Sequence, residues 1–241
     1  MCAVWDVSLH HLQLSGIHAL CGVRAEVEPA AAGGWDVGLI ARVRSAIAPL
    51  LAEPRISSEQ VSQRVRGHVV TVLESRGDWR RVRGDDGYEG WTHQGYLEPL
   101  GDVAAAAVRW PFAPRASLVE TAREAFVGTS YQWGGITPWG ADCSGFVQTV
   151  FAVHGIALPR DASQQATVGA DADGKTAGDL LFFSERDDGR ITHVAIALGP
   201  SEFAHVALGR GGHAVERKNE VDDYLEMLLA WLRFAKRVLR E

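Results

Sequence analysis

The chain has 241 residues, 46% of them hydrophobic and 22% charged, a balance that excludes wholesale disorder. Its net charge of -6 includes no basic excess of the kind that binds nucleic acid, so no such partner is expected. The length suffices for two modest domains, each with its own core, and two are expected.

In chain order, the N-terminus "MCAVWDVSLHHLQLSG" lacks the charged n-region, unbroken apolar stretch and small-residue cleavage site of a secretory signal. No run reaches the length of a membrane span, so no membrane partner is expected and the expected location is cytoplasmic. The three cysteines, at 2, 21 and 143, form no disulfide framework. His10, His11 and His18 with Cys2 and Cys21 lack zinc-site spacing, and neither a metal nor a cofactor is expected. Residues 1–35 read as an N-terminal extension closing on the small-residue connector "PAAAGG".

Residues 36–100 carry short β-rich runs, "LIARVRSAIAPLL", "HVVTVLES", "WRRVRG" and "YEGWTH", separated by Gly and Asp turn signals, which predicts a small β-barrel. Residues 101–115, with two prolines, read as a linker. From 116 to 241 the pattern is α+β, helices first and then an antiparallel sheet. Ser117 is an N-cap with Glu120 three residues on, opening a helix that Gly128 ends. "CSGFVQTVFAVHG" predicts a second helix from about Cys143 to Gly155, with Phe146, Val150 and Val153 on one face. "GDLLFFS", "THVAIALG" and "EFAHVAL" read as strands with a turn at Gly199-Pro200. "VDDYLEMLL" reads as a short helix and "WLRFAKRVL" as a closing strand.

Cys143 stands at a helix start, where free N–H groups and partial positive charge lower a thiol pKa and make it a nucleophile. A small buried hydrophobe is the other reading of such a cysteine. A nucleophilic cysteine requires a histidine base and a third group to orient it. His193 and His205 lie in apolar strands 12 residues apart, and a hairpin near Gly199 brings them to nearby rungs of one face. Each reads equally well as a hydrogen-bonded core histidine.

Taken together, "YQWGG", "DCSGF", "LPRD", "GDLLFF" and "THVAIALG", with a second His 12 residues after His193, resemble the NlpC/P60 family over residues 116 to 238. That resemblance implies a papain-like cysteine peptidase fold acting on cell-wall peptides. It implies Cys143 as nucleophile, favoured as thiolate by His193 and the helix start, with His193 as base and acid and His205 as its orienting group. Tyr131 would share the oxyanion with the Cys143 N–H. The stretch "SSEQVSQRVRGHVVTVLESRGDWRRVRGDDGYEGWTHQGYL" resembles a bacterial SH3 (SH3b) domain.

The two resemblances together imply cleavage of free muropeptides such as L-Ala-γ-D-Glu-diaminopimelate, or the Lys equivalent, between D-Glu and the diamino acid during cell-wall peptide recycling. A free L-Ala amine is then required, and a buried ammonium needs acceptors or its desolvation goes uncompensated. By that resemblance Asp161 and Tyr88 meet the amine, Glu59 accompanies them, and Asp142 and Ser144 hold the substrate backbone. Ala162 stands where the family often has Ser. Asp161 reads alternatively as a helix cap, Tyr88 as a barrel-core aromatic and Glu59 as a solvated acid. Trp133 and Trp139 read as cleft wall or core, and His154 as a partner of the helix dipole. The rival functions are an exported peptidoglycan hydrolase or an amidase of the same fold, and a degenerate cell-wall-binding protein.

Overall fold

The protein is described here from a computed structural model, over residues 35–100 and 107–238. The expected N-terminal extension, with Cys2, Cys21 and His10, His11 and His18, and the first part of the linker lie outside those residues.

The first half is an antiparallel sheet of seven strands: β1 (Ile40–Val43), β2 (Ile47–Leu51), β3 (Gln60–Val65), β4 (Val69–Arg76), β5 (Trp79–Gly84), β6 (Glu89–His93) and β7 (Leu97–Pro99). Their order, β3-β2-β6-β5-β4-β1-β7, makes an open SH3b-like barrel. The run "LIARVRSAIAPLL" is two strands, because β1 pairs with β4 and β7 while β2 pairs with β3 and β6. Alternate side chains of these strands, Val43, Ala48, Leu50, Val70, Val72 and Val82 among them, fill the barrel core.

Strand β3, "QVSQRV", carries no apolar alternation and is missing from the strands expected of the sequence. Its Ser62, Gln63 and Arg64 are buried all the same. The reason is tertiary: β3 faces the second half of the chain, whose polar groups satisfy it. Arg160 Nε donates to Ser62 Oγ at 3.1 Å. The Ile136 N–H donates to Gln63 Oε1 at 3.2 Å, and Gln60 Nε2 donates to the Trp133 carbonyl at 3.0 Å. From the neighbouring turn Asp86 accepts both Arg64 at 2.6 Å and Gln148 at 3.0 Å.

The second half comprises α1 (Leu118–Glu124), β8 (Ile136–Thr137), β9 (Gly140–Ala141), α2 (Cys143–Ala152), α3 (Ala162–Gln165), β10 (Ala170–Ala172), β11 (Leu180–Phe183), β12 (His193–Ala197), β13 (Glu202–Ala207), β14 (Gly212–Arg217), α4 (Asp223–Ala230) and β15 (Leu232–Arg237). Ser117 and Glu120 cap α1 reciprocally, the capping box read from the sequence. The main sheet is antiparallel, in the order β10-β15-β11-β12-β13-β14, so β15 enters between β10 and β11.

Helix α2 packs on that sheet and is buried on every side from Cys143 to Phe151, not on one face as the periodicity suggests. A core position encloses a helix on every side, and the buried Gln148 and Thr149 find partners in Asp86, the Leu158 carbonyl and the Ile136 carbonyl. Phe126, Phe146 and Phe182 are fully buried in the same cluster, Phe126 and Phe146 meeting edge to face with centroids 5.0 Å apart. Replacing such a Phe by Ala costs about 3–5 kcal/mol. Among the described residues no helix is long and apolar enough to cross a membrane.

Candidate active site

The start of α2 is built by Asp142 and Arg160. Asp142 is the N-cap: its Oδ1 accepts from the Gly145 N–H at 2.7 Å and its Oδ2 from the Gly134 N–H at 2.8 Å. Arg160, fully buried, grips the same carboxylate at 3.0 and 2.6 Å and donates to Ser144 Oγ at 2.9 Å. Ser144 in turn donates to Asp142 at 3.3 Å. Asp142 and Ser144 therefore line the cleft, as expected of residues that hold substrate backbone, with their side-chain polar atoms engaged within the protein. Gly145 matters here for the backbone and not for access to the sulfur: a Cβ there would overlap the Gly135 carbonyl oxygen.

Cys143 is the first residue of the helix, 9% exposed, at the floor of a cleft of about 440 Å³. The backbone N–H groups of Val194 and Ser144 are turned to its sulfur. Burial nevertheless pushes the thiol up to about 12, aided by the Asp142 charge and against those N–H groups and Arg160. His193 is held well below 6.5, first by burial and then by His205. Both shifts run toward the neutral thiol and the neutral imidazole, the opposite direction from the expected resting thiolate. Desolvation outweighs the helix start.

Strands β12 and β13 pair Ile196 with Ala204 and Ala197 with Phe203. That register continued puts His193 opposite Ala207, so His205 falls on the adjacent rung of the same face. His193 Nε2 meets His205 Nδ1 at 2.9 Å. His205, fully buried, then meets Glu216 Oε1 through Nε2 at 3.2 Å. Glu216 is held by Arg210 at 2.7 and 2.9 Å, and Arg210 also pairs with Asp222. Burial alone would raise the Glu216 pKa, but hydrogen bonds from His205 and Arg210 hold it at about 2.

Tyr131 packs against the cluster containing Cys143, and its hydroxyl is pushed up to about 12 by burial, then by charge at Cys143 and Asp142. It stays a hydrogen-bond donor at any working pH. At one end of the cleft Tyr88, from the barrel, and the Asp161 carboxylate lie within reach of one another. Tyr88 is pushed up to about 12 by burial and then by the Asp161 charge. Burial likewise raises Asp161 above its ordinary value, Asp142 adding to this and Arg160 and Tyr88 opposing it. Asp161 does stand at the N-cap position of α3, but its carboxylate faces the cleft.

Glu59 is exposed and lies outside the cleft lining, so of its two readings the structure places it as a solvated acid. Trp133 lines the cleft, whereas Trp139, 64% exposed on the β8–β9 turn, is neither core nor cleft wall. His154 Nε2 meets Thr121 Oγ1 at 2.8 Å, a bond between α1 and the end of α2 in place of the expected dipole contact. No cluster of three or more metal-ligating side chains with suitable geometry occurs among the described residues.

Sequence reasoning missed Arg160, Glu216 and Arg210. "LPRD" contains Arg160, but nothing local says that an arginine there is buried. Glu216 carried a usable signal: Gly211 is a turn residue, and the alternation of the strand that starts at Gly212 places Glu216 on the face of His205.

Residues 128–226 match the NlpC/P60 family and residues 43–98 match the bacterial SH3 domain. The Gamma-D-glutamyl-L-lysine dipeptidyl-peptidase of Bacillus subtilis is 45% identical over 83 residues, 33% of this chain and 28% of that protein. Dipeptidyl-peptidase 6 of Lysinibacillus sphaericus is 30% identical over 173 residues, 67% of this chain and 58% of that protein. The chain thus spans less than two thirds of the length of these curated relatives. A crystal structure of an NlpC/P60 family protein from Bacillus cereus superposes with a TM-score of 0.45 at 23% identity, covering 85% of this chain and 64% of that one. The chain thus carries an NlpC/P60 domain over residues 128–226, preceded by a bacterial SH3 domain over residues 43–98.

Proposed function

We propose that this protein is a cysteine endopeptidase that cleaves the bond between γ-D-Glu and an L-diamino acid in free muropeptides whose L-Ala amine is unblocked. The observation that carries the reading is the Tyr88–Asp161 pair at one end of the cleft that has Cys143 at its floor. A carboxylate raised by burial, with a tyrosine hydroxyl within reach, gains from an incoming ammonium, which supplies the missing counter-charge. Such a receptor measures from a free N-terminus, so the bond presented to the sulfur is a fixed number of residues away. The names of the two relatives, both dipeptidyl-peptidases, support counting of this kind.

The reaction follows from the groups around Cys143. His193 takes the thiol proton as the sulfur attacks the γ-carbonyl carbon, the oxyanion meeting the Cys143 N–H and the Tyr131 hydroxyl. The proton passes from His193 to the leaving amine as the C–N bond breaks. Water, deprotonated by His193, then attacks the thioester, and the returned proton leaves Cys143 as thiol with L-Ala-D-Glu released. Because burial favours neutral sulfur and neutral imidazole, proton transfer accompanies attack. His205 keeps the ring of His193 in place.

On this reading the substrate is a released fragment and not the intact wall, which supports a role in peptide recycling and a cytoplasmic site of action. The test is mass-spectrometric cleavage of L-Ala-γ-D-Glu-diaminopimelate by the wild type and by Cys143→Ala, beside the same peptide with an acetylated amine. Release of L-Ala-D-Glu from the free-amine peptide alone, by the wild type alone, supports the reading. Equal cleavage of the acetylated peptide transfers it to a wall-acting hydrolase, and no cleavage of either by the wild type overturns the peptidase reading.

A further inference from the structure

The hydrogen-bonded row that begins at His193 ends on a group that can only accept. An ionised carboxylate has no proton to give, and Glu216 is kept ionised by two bonds from Arg210. His205 Nε2, at 3.2 Å from Glu216 Oε1, must therefore carry the proton of that bond. With one N–H on its imidazole, the form in which it orients His193, His205 leaves Nδ1 bare to accept. The 2.9 Å contact then requires the proton on His193 Nε2, which leaves His193 Nδ1 bare. Nδ1 is the one ring nitrogen of His193 not engaged with His205. The sulfur is adjacent to the start of β12, since the N–H of Val194, the next residue, points at it.

We propose that Glu216, held by Arg210, is a positioning residue that fixes the tautomers of both histidines so that His193 offers a bare Nδ1 to the Cys143 thiol. Without a terminal acceptor the row can reverse as a unit. His205 would then donate from Nδ1 to a bare His193 Nε2, and His193 would carry its proton on Nδ1. That ring cannot take a proton from Cys143. The Glu216 charge also favours the imidazolium that His193 becomes during attack, through His205 and with no proton moving beyond His193.

Three strands and a turn cooperate in this arrangement. Glu216 pairs in register with Phe203, two residues from His205, so its side chain lies diagonally beside the ring on the same face of the sheet. Arg210 reaches Glu216 from the short turn Leu208–Arg210 and stacks over Tyr224 at 4.5 Å, while Asp222, the N-cap of α4, takes its other face at 2.6 and 2.9 Å. The carboxylate is thus fixed on two sides, and its position does not depend on substrate.

The role deepens the peptidase reading, but its first test needs no substrate. Nitrogen-15 NMR of the imidazoles of the wild-type protein near pH 7 is expected to show His205 and His193 both protonated at Nε2 and bare at Nδ1. A wild-type His193 protonated at Nδ1 overturns the proposal. Glu216→Gln and Arg210→Gln are then compared with the wild type for melting temperature, tautomer, kcat and KM on L-Ala-γ-D-Glu-diaminopimelate.

In Glu216→Gln the expected result is loss of the single tautomer, with kcat lower by about 10- to 100-fold and KM within about twofold, as for other groups that orient a catalytic imidazole. A folded Glu216→Gln with wild-type kcat and wild-type tautomers overturns the proposal, as does a kcat loss without any change of tautomer. The pH profile of kcat adds a readout that a merely structural role leaves unmoved: the acid limb is expected to shift in Glu216→Gln. The groups facing the pair are Phe183 from β11, Phe203 from β13, Glu216 and His213 from β14 and Tyr224 from α4, with Arg210 from the turn and Asp222 at the N-cap of α4 behind Glu216. If the wild type cuts no peptide, the functional reading fails while the NMR result still decides the role of Glu216.

Discussion

The Arg160 guanidinium meets the Asp142 carboxylate at 3.0 and 2.6 Å, and both side chains are buried at the point where the SH3 domain, through Ser62, reaches the start of the nucleophile helix. One ion pair thus caps α2, fixes the loop that carries Gly134 and ties the two halves of the protein together.

Removing one partner of a buried pair leaves the other charge uncompensated, which costs about 3–5 kcal/mol. Arg160→Met is therefore expected to lower unfolding free energy by that amount in urea titration. Adding Asp142→Asn to it is expected to cost less than the sum of the two single changes. Additive losses would mean that the pair does not act as a unit.

Cys143 is expected to behave as a protonated thiol in the free enzyme. With its pKa at about 12, iodoacetamide modification near neutral pH is expected to be slower than that of an unhindered free cysteine and to rise with pH without a plateau below 9. A plateau reached at or below pH 7 would instead show a resting thiolate with His193. The variant Cys143→Ala is the control for modification elsewhere in the chain.

Tyr88 and Asp161 should act on binding and hardly on chemistry, because neither reaches the sulfur. A hydrogen bond to a charged group is worth about 1.5–3 kcal/mol, or roughly 10- to 150-fold. Tyr88→Phe and Asp161→Asn are each expected to raise KM for the free-amine peptide by a factor in that range, with kcat within about threefold. Steady-state kinetics on that peptide check this, and a loss confined to kcat would refute it.

His68 makes stability depend on pH. Its Nδ1 accepts the Val65 N–H at 3.1 Å, and burial, then the Arg64 charge, lower its pKa from 6.5 to about 4. Between those values the unfolded chain takes up a proton that the folded protein refuses. Its contribution is therefore intact above pH 6.5 and is lost as pH falls toward 4, by up to about 3 kcal/mol. His193 is depressed as well and adds a slope of the same sign. In urea titrations from pH 7 to 4.5, His68→Asn, which keeps an acceptor but does not titrate, is expected to show a shallower decline than the wild type. Parallel declines would remove His68 as a source.

The sequence by itself determined what depends on neighbours along the chain. The capping box of Ser117 and Glu120, the helix opening at Cys143 and the hairpin that sets His193 beside His205 are local patterns of spacing and turn residues, and the structure carries each of them. Tertiary structure decided what depends on burial against distant groups. Strand β3 is polar because its partners, Arg160 and Ile136, come from the other domain, so no periodicity announces it. Asp142 and Ser144 sit beside the nucleophile in sequence, but Arg160 claims their polar atoms. The direction of the Cys143 shift turned on the same distinction: the helix start is readable along the chain, while the desolvation that overrides it comes from elements folded over the sulfur.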